Sequence, residues 1–310
     1  MLALIEITPW HYAGFVLCVL LFLALDLGVL HRGAHVVSFR EAFIWTGVWF
    51  TLAMIFAVAL IPLRGREEAT EFATGYLIEL SLSMDNVFVI ALIFSYFRVA
   101  PEHQHRVLFW GIMGALVMRG LMIWLGAELV ARFHWVLYVF GAFLLFTGVK
   151  MLFANEEGVQ PEKNPCLRLA RKYFPVSPGF HGPRFTIRQG GRLMLTPLAL
   201  VLVVVETTDL VFALDSIPAI FAITDKPFIV FTSNVFAILG LRSLYFVLAG
   251  AIGYFRYLKY GLSLVLVFIG GKMLVEKWVH LPIDWSLLIV VAILLTAIAA
   301  SVIAARREKK

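Results

Sequence analysis

Apolar stretches of about twenty residues recur from one end of this chain to the other, separated by short polar connections. At about 1.5 Å per helical residue, each is long enough to cross a hydrocarbon core roughly 30 Å thick. Nine spans are predicted, at about 10–30, 41–62, 73–97, 107–130, 135–154, 193–221, 228–252, 257–275 and 284–305. Only one connection is long, residues 155–192, and it is rich in Lys, Arg, Pro and Gly. The expected fold is an all-α, polytopic transmembrane bundle forming a single domain over residues 1–310.

The polar positions inside these spans are not scattered. Span three carries Glu79, then five residues, then Asp85 and Asn86; span six carries Asp209, five residues, then Asp215 and Ser216. Span four has GALVM before Arg119, and span seven has AILGL before Arg242. Span five ends on Gly148-Val149-Lys150-Met151-Leu152, and span eight on Gly271-Lys272-Met273-Leu274. A tyrosine precedes each lysine by twelve residues, at Tyr138 and Tyr260. The matches fall in the same order twice, so residues 73–154 and 193–275 read as two copies of one three-helix unit. Three spans is an odd number, so the copies have opposite orientations, a recurrent transporter architecture with its site at the repeat interface.

Composition agrees with the membrane reading. Of the 310 residues, 61% are hydrophobic and 15% charged, with mean hydropathy +0.91, against about half and a quarter for soluble domains. The net charge of +6 sits mostly in loops, which points to membrane orientation and away from nucleic acid. With the N-terminus outside, inner loops carry Arg32, Arg40, Arg98, Arg106, the basic 155–192 segment, Arg256 and Lys259, and the tail adds Arg306, Arg307, Lys309 and Lys310. Outer loops carry fewer: Arg64, Arg66, Arg132, Lys226 and Lys277. The expectation is a bacterial inner-membrane protein with its N-terminus out and its C-terminus in. The N-terminal MLALIEITPW has no basic start or small-residue cleavage site and reads as the lead into a retained helix. Cys18 and Cys166 form no C-x-x-C and imply neither a disulfide framework nor a thiolate site.

Five acids lie within spans, Glu79, Asp85, Glu206, Asp209 and Asp215, with two arginines, Arg119 and Arg242. A charge at bilayer depth costs from about 2.5 to more than 10 kcal/mol, so such residues pair, bind ions or stay protonated. Five acids against two bases leave three formal negative charges, enough to accept a divalent cation. The candidate metal-binding residues are Glu79, Asp85, Asn86, Glu206, Asp209 and Asp215, with Arg119 and Arg242 as structural ion-pair partners. Buried ion pairs that only join helices are the competing reading. At about 100° per residue, Glu79, Ser83 and Asn86 share a face, as do Glu206 and Asp209, whereas Asp85 lies about 120° from Glu79. Either the helices unwind near Asp85 and Asp215, helped by Pro218, or one subset binds metal while another pairs with arginine. Lys150 and Lys272 are expected to snorkel to the interface, Asp26 and Glu128 to be interfacial, and Asn234 to make a helix–helix hydrogen bond.

All eight histidines fall in loops or at span ends, and the ligands on offer are oxygens. Oxygen donors suit Mn²⁺, Mg²⁺ or Ca²⁺. Met84 beside Asp85 is a softer ligand candidate favouring Mn²⁺, with packing the competing role. The cation would be a substrate, with no resident cofactor.

The segments GYLIELSLSMDNVFV, VETTDLVFALDSIPAIFAIT, SNVFAILGLRSLYF and FGAFLLFTGVKML resemble the signature stretches of the TerC family, and most closely its Alx-like members. The resemblance runs from about Asp26 through span eight. It implies a manganese exporter whose acids fall on Glu79, Asp85, Glu206, Asp209 and Asp215. Tellurite, with which the family is historically linked, is an oxyanion that a net-negative cluster would repel. The leading expectation is therefore a secondary transporter moving Mn²⁺ outward, coupled to protons. The alternative is a membrane scaffold or assembly factor supporting metalation or folding of exported proteins, docked through the basic loop. The chain has no G-x-x-x-x-G-K-[ST], H-E-x-x-H or G-x-S-x-G, so an ATP-driven pump or an enzyme is not expected. Besides the cation and the lipid bilayer, membrane partner proteins or a second copy of the chain are the partners left open.

Overall fold

The computed structural model describes residues 7–25, 38–153, 162, 164–189, 191–249, 257–279 and 281–308. Ten helices and one hairpin follow in order: α1 (Pro9–Leu25), α2 (Phe39–Arg64), α3 (Arg66–Tyr96), α4 (Pro101–Arg132), α5 (Val136–Phe153), α6 (Pro165–Tyr173), β1 (Thr186–Gln189), β2 (Arg192–Leu195), α7 (Pro197–Phe221), α8 (Pro227–Ala249), α9 (Leu258–Val275) and α10 (Ile283–Glu308). Among the described residues, eight helices are long and apolar enough to cross a membrane: α2, α3, α4, α5, α7, α8, α9 and α10. The first predicted span appears as α1, which at 17 residues is shorter. Asp26, His31, Arg32, His35, Arg256, His280, Lys309 and Lys310, and the side chains of Arg306 and Arg307, lie outside the described residues.

Local chemistry sets the helix ends. Ser38 caps α2 by accepting from the Glu41 N–H, and Thr196 caps α7 by accepting from the Ala199 N–H. Helices α4, α6, α7 and α8 begin on proline, whose missing N–H is no loss in a first turn. A single residue, Gly65, joins α2 to α3 with φ 100°, backbone that a side chain would strain.

Two expectations change here. The sixth span was placed from residue 193, but Arg192–Leu195 is a strand paired with Thr186–Gln189, and α7 starts only after the Thr196 cap. The long connection thus holds α6 and a small antiparallel hairpin, which departs from a purely helical chain. The third and fourth spans also extend beyond their apolar windows, to Arg66 and Pro101.

Short connections alternate the helix directions. One end of the bundle carries Gly65, the α4–α5 turn and the α7–α8 turn; the other carries the α3–α4 turn, α6 and the hairpin. Polar contacts tie each end. At the Gly65 end, the Lys226 ammonium lies 3.0 Å from the Glu71 carboxylate, and the Thr224 hydroxyl donates to Glu71 at 2.8 Å. At the α6 end, the Tyr245 hydroxyl donates to Gln104 and Asn164 donates to Thr207.

Helix α8 is buried on nearly all sides, while α2, α5 and α10 turn most of their apolar surface outward, as lipid-facing helices do. Exposed Trp10, Trp135, Trp278 and Trp285 lie at helix termini at the Gly65 end, the depth at which amphipathic rings anchor in a bilayer interface. Where α5 crosses α9, glycines let the backbones touch. A Cβ on Gly148 would sit 2.9 Å from both Ser263 O and Val267 N; one on Gly270 would sit 2.7 Å from Gly141 O and 2.6 Å from Leu145 N. A constant shift of 122 residues relates the two sets, pairing 148 with 270, 141 with 263 and 145 with 267.

Candidate cation-binding site

Helix α3 places Glu68, Glu71, Gly75, Glu79, Ser83 and Asn86 at three- and four-residue spacing, hence on one inward stripe. Helix α7 places Asp209 and Ser216 likewise. The stripes meet at mid-depth around Arg119 of α4. Its guanidinium donates to Asp209 through Nη2 at 2.7 Å and Nε at 3.1 Å, and to Glu79 through Nη1. Nη1 also reaches Asn234 Oδ1 at 3.2 Å. Two amides complete the shell: Asn86 Nδ2 donates to Asp209 Oδ1 at 2.7 Å, and Asn234 Nδ2 to Glu79 Oε2 at 3.1 Å. Glu79 and Asn234 are 0% exposed and Arg119 2%, so these charges have left water completely. A buried ion in such a place persists only when each of its polar atoms is bonded, and all four carboxylate oxygens are.

The other predicted acids lie apart from this cluster. Glu206 is close enough to Asp209 to feel its charge, and its carboxylate packs against Gly114 of α4. Asp85 faces α9, with Lys259 nearby, and Asp215 faces Thr147 and Lys150 of α5. The helices do not unwind: α3 and α7 run unbroken past Asp85 and Asp215, and Pro218 is absorbed in the last turn of α7. The unwinding alternative is therefore absent, and Glu79 and Asp209 pair with Arg119 while Asp85 and Asp215 stand apart from them. Among the described residues, no three His, Cys, Asp or Glu side chains stand close enough to hold a metal ion as they are.

The remaining polar residues take several places. Arg242 lies 3.1 Å from His105 Nε2 of α4, and both central acids bond to Arg119. Lys272 does not snorkel; it is buried and donates to the Ala222 carbonyl at 3.4 Å, because α9 packs that face against α7. Lys150 is exposed, and Met84 packs against the apolar cluster around Val87 and Val204. Asn234 makes the expected helix–helix hydrogen bond, from α8 to Glu79 Oε2 of α3, and so completes the shell of that carboxylate. Glu68 and Glu71 fall outside the predicted third span, whose apolar window opens at residue 73; their spacing from Glu79 was the available signal.

A cavity of about 20 Å³ adjoins the cluster on its α6 side, lined by Asn86, Asp209, Gly111, Ala115, Val205 and Ile238 among others. That volume accommodates about one water-sized particle. Asn86 Oδ1, at the edge of this cavity, is a buried acceptor with no hydrogen-bond partner among the described residues; so are Glu206 Oε2, Asp215 Oδ1 and the hydroxyls of Ser83 and Ser216. The cluster thus combines fixed negative charge, uncommitted oxygen acceptors and an adjoining space on one side.

Residues 64–309 match the model of a family described as integral membrane protein TerC family. The chain belongs to the TerC family. An uncharacterized membrane protein of Myxococcus xanthus is 51% identical over 96% of this chain and 94% of its own length. Proteins named Alx, each described as a candidate membrane-bound redox modulator, are 47% identical in Salmonella typhi, over 98% of this chain and 97% of theirs, and 48% identical in Escherichia coli (strain K12), over 93% and 92%. No solved structure matches the chain. It is an integral, multi-pass membrane protein of this family.

Proposed function

We propose that this TerC-family protein is a secondary transporter that exports a divalent cation, Mn²⁺ by preference, through the site built on Glu79, Asn86 and Asp209. The observation that carries the reading is the pair of buried carboxylates from two helices, held at mid-depth beside an uncommitted amide oxygen and a small cavity. An all-oxygen donor set suits Mn²⁺, Mg²⁺ or Ca²⁺ over Zn²⁺ or Cu⁺. Glu206 adjoins the site. Asp85 lies six residues, about 9 Å along the helix, toward the α6 end from Glu79, and Asp215 lies as far toward the Gly65 end from Asp209. They serve as stations on either side of the central pair.

The transport cycle rests on α3–α5 and α7–α9 being inverted repeats, which the reciprocal α5–α9 crossing supports. Rocking of one unit against the other exposes the acids alternately to the two faces. Carboxylates bind metal when deprotonated, which couples metal to protons. With α1 as a ninth span, the N-terminus faces out and the basic α6 segment lies on the cytoplasmic side of a bacterial inner membrane. The cavity then lies on the cytoplasmic side of the cluster, and the Glu71–Lys226 contacts lie on the outer side.

The scaffold reading takes its support from the exposed basic side chains of α6 and the hairpin, and the redox description of the Alx relatives is a separate possibility. Redox chemistry finds little in the thiols: Cys18 and Cys166 are free and sit on different helices. The test is Mn²⁺ uptake into inside-out vesicles carrying the protein and a metal-sensitive dye, at several pH values. Saturable uptake that Asp209→Asn abolishes in inserted, folded protein is expected. Absence of Mn²⁺, Ca²⁺ and Mg²⁺ movement under every imposed gradient would remove the transporter reading and leave the acids as structural ion pairs.

A further inference from the structure

We infer that Arg119 is a built-in competitor for the transported cation: its guanidinium fills the Glu79–Asp209 site at rest and must leave when the metal binds. The inference rests on the transporter reading and deepens it. Every oxygen of the two central carboxylates already accepts a hydrogen bond, three of the donated bonds coming from Arg119 and the others from Asn86 and Asn234. The Arg119 guanidinium occupies the space between the two acids, so a metal ion bridging both would have to displace it, in keeping with the lack of any ready three-acid group among the described residues. Charge makes the same demand. Glu79, Asp209 and Arg119 together leave a single negative charge, so a dication added beside Arg119 would leave net positive charge unless Glu206 were also drawn in, whereas a dication in place of Arg119 is balanced by the two central carboxylates alone.

The arrangement has a use beyond packing. Two bare carboxylates at this depth would be costly in the empty protein, and a tethered cation removes that cost whenever no metal is bound. Because the guanidinium is part of the chain, it also weakens the metal's hold, and a site must release its ion to transport it. Asn86 Oδ1 and the cavity against Asp209 then mark the side from which the metal displaces Arg119. Asn86 keeps one bond to Asp209 and presents its free oxygen to the incoming ion.

The test is direct Mn²⁺ binding to the full-length protein in detergent, read from the loss of the free hexaaqua Mn²⁺ signal in electron paramagnetic resonance. Competition predicts that Arg119→Ala lowers the Mn²⁺ Kd by about tenfold or more, the change that losing a competitor worth about 1.4 kcal/mol produces. Added guanidinium should raise that Kd again in Arg119→Ala and leave the wild type unchanged. A purely structural arginine predicts the opposite sign, because acids freed from their partner lose their orientation and the Kd rises. Weaker or unchanged Mn²⁺ binding in a folded, monodisperse Arg119→Ala protein would overturn the inference. If that variant does not assemble, Arg119→Lys decides: a single ammonium bridges two carboxylates less well than the forked guanidinium, so Mn²⁺ should bind more tightly than in wild type, and equal or weaker binding overturns the inference. Wild-type vesicle uptake separates the two levels. Uptake without the predicted sign sinks only the competitor role, and no uptake at all sinks the transporter reading.

Discussion

Replacing Gly270 by alanine should leave the protein about 1–3 kcal/mol less stable than replacing Gly271, although the two residues are neighbours on one helix. A Cβ at Gly270 would lie 2.6 Å from Leu145 N, 2.7 Å from Gly141 O and 3.1 Å from Leu145 Cα, all backbone atoms of α5 that cannot rotate away. A Cβ at Gly271 would meet nothing within 4 Å. Relief at Gly270 requires α5 and α9 to part by several tenths of an ångström, and gaps of about 0.5–1 Å forfeit a quarter to a half of each dispersion contact. Overpacking of this kind costs about 1–3 kcal/mol. Both substitutions gain the same helix propensity, about 1 kcal/mol, so it cancels from their difference. Gly271→Ala should thus be neutral to stabilising, and Gly270→Ala should fall about 1–3 kcal/mol below it. The chain already carries the control: shifted by 122, Gly271 corresponds to Val149, whose side chain is exposed. Gly148, which corresponds to Gly270, should behave as Gly270 does. Equilibrium unfolding in mixed micelles, followed by far-ultraviolet circular dichroism, reads the difference. Equal stability of Gly270→Ala and Gly271→Ala would refute the close crossing and the reciprocal relation built on it.

Other outcomes follow from the same geometry. The double substitution Cys18→Ser, Cys166→Ser should leave Mn²⁺ uptake intact, and loss of uptake would show that the thiols act in the function. Gly114→Ala pushes a methyl group into the Glu206 carboxylate; because the end of a flexible side chain yields, stability should change by less than about 1 kcal/mol while Mn²⁺ affinity falls, measured by binding and unfolding on one preparation. Lys226→Met leaves the buried Glu71 carboxylate with the Thr224 hydroxyl on Oε2 and no described partner on Oε1, and should cost about 1–3 kcal/mol in the same unfolding assay.

The physical cost of a charge in lipid made the central residues legible in advance. Glu79, Asp209 and Arg119 stand out in apolar stretches, and spacing places Asn86 on the Glu79 face. Spacing could not say which arginine the acids choose. Arg119 takes both, and Arg242 bonds His105, which lay hidden because α4 starts six residues before its apolar window. Helix extension beyond the apolar core also concealed Glu68 and Glu71: polar first turns read as loop although their stripe continues the buried face. The four-residue strands at 186–189 and 192–195 are too short for an alternating pattern to show. Lys272 looked interfacial from its place near a helix end, but its depth depends on how α9 packs against α7, which no single-helix argument contains.

Locating bound manganese tests the central claim most directly. Anomalous diffraction at the manganese edge, from crystals grown with Mn²⁺, should place the peak between Glu79, Asn86 and Asp209, with the Arg119 guanidinium withdrawn from both carboxylates. Manganese seated instead on Asp85 or Asp215, with Arg119 still bonded to Glu79 and Asp209, would contradict the account and return the central cluster to a structural ion pair.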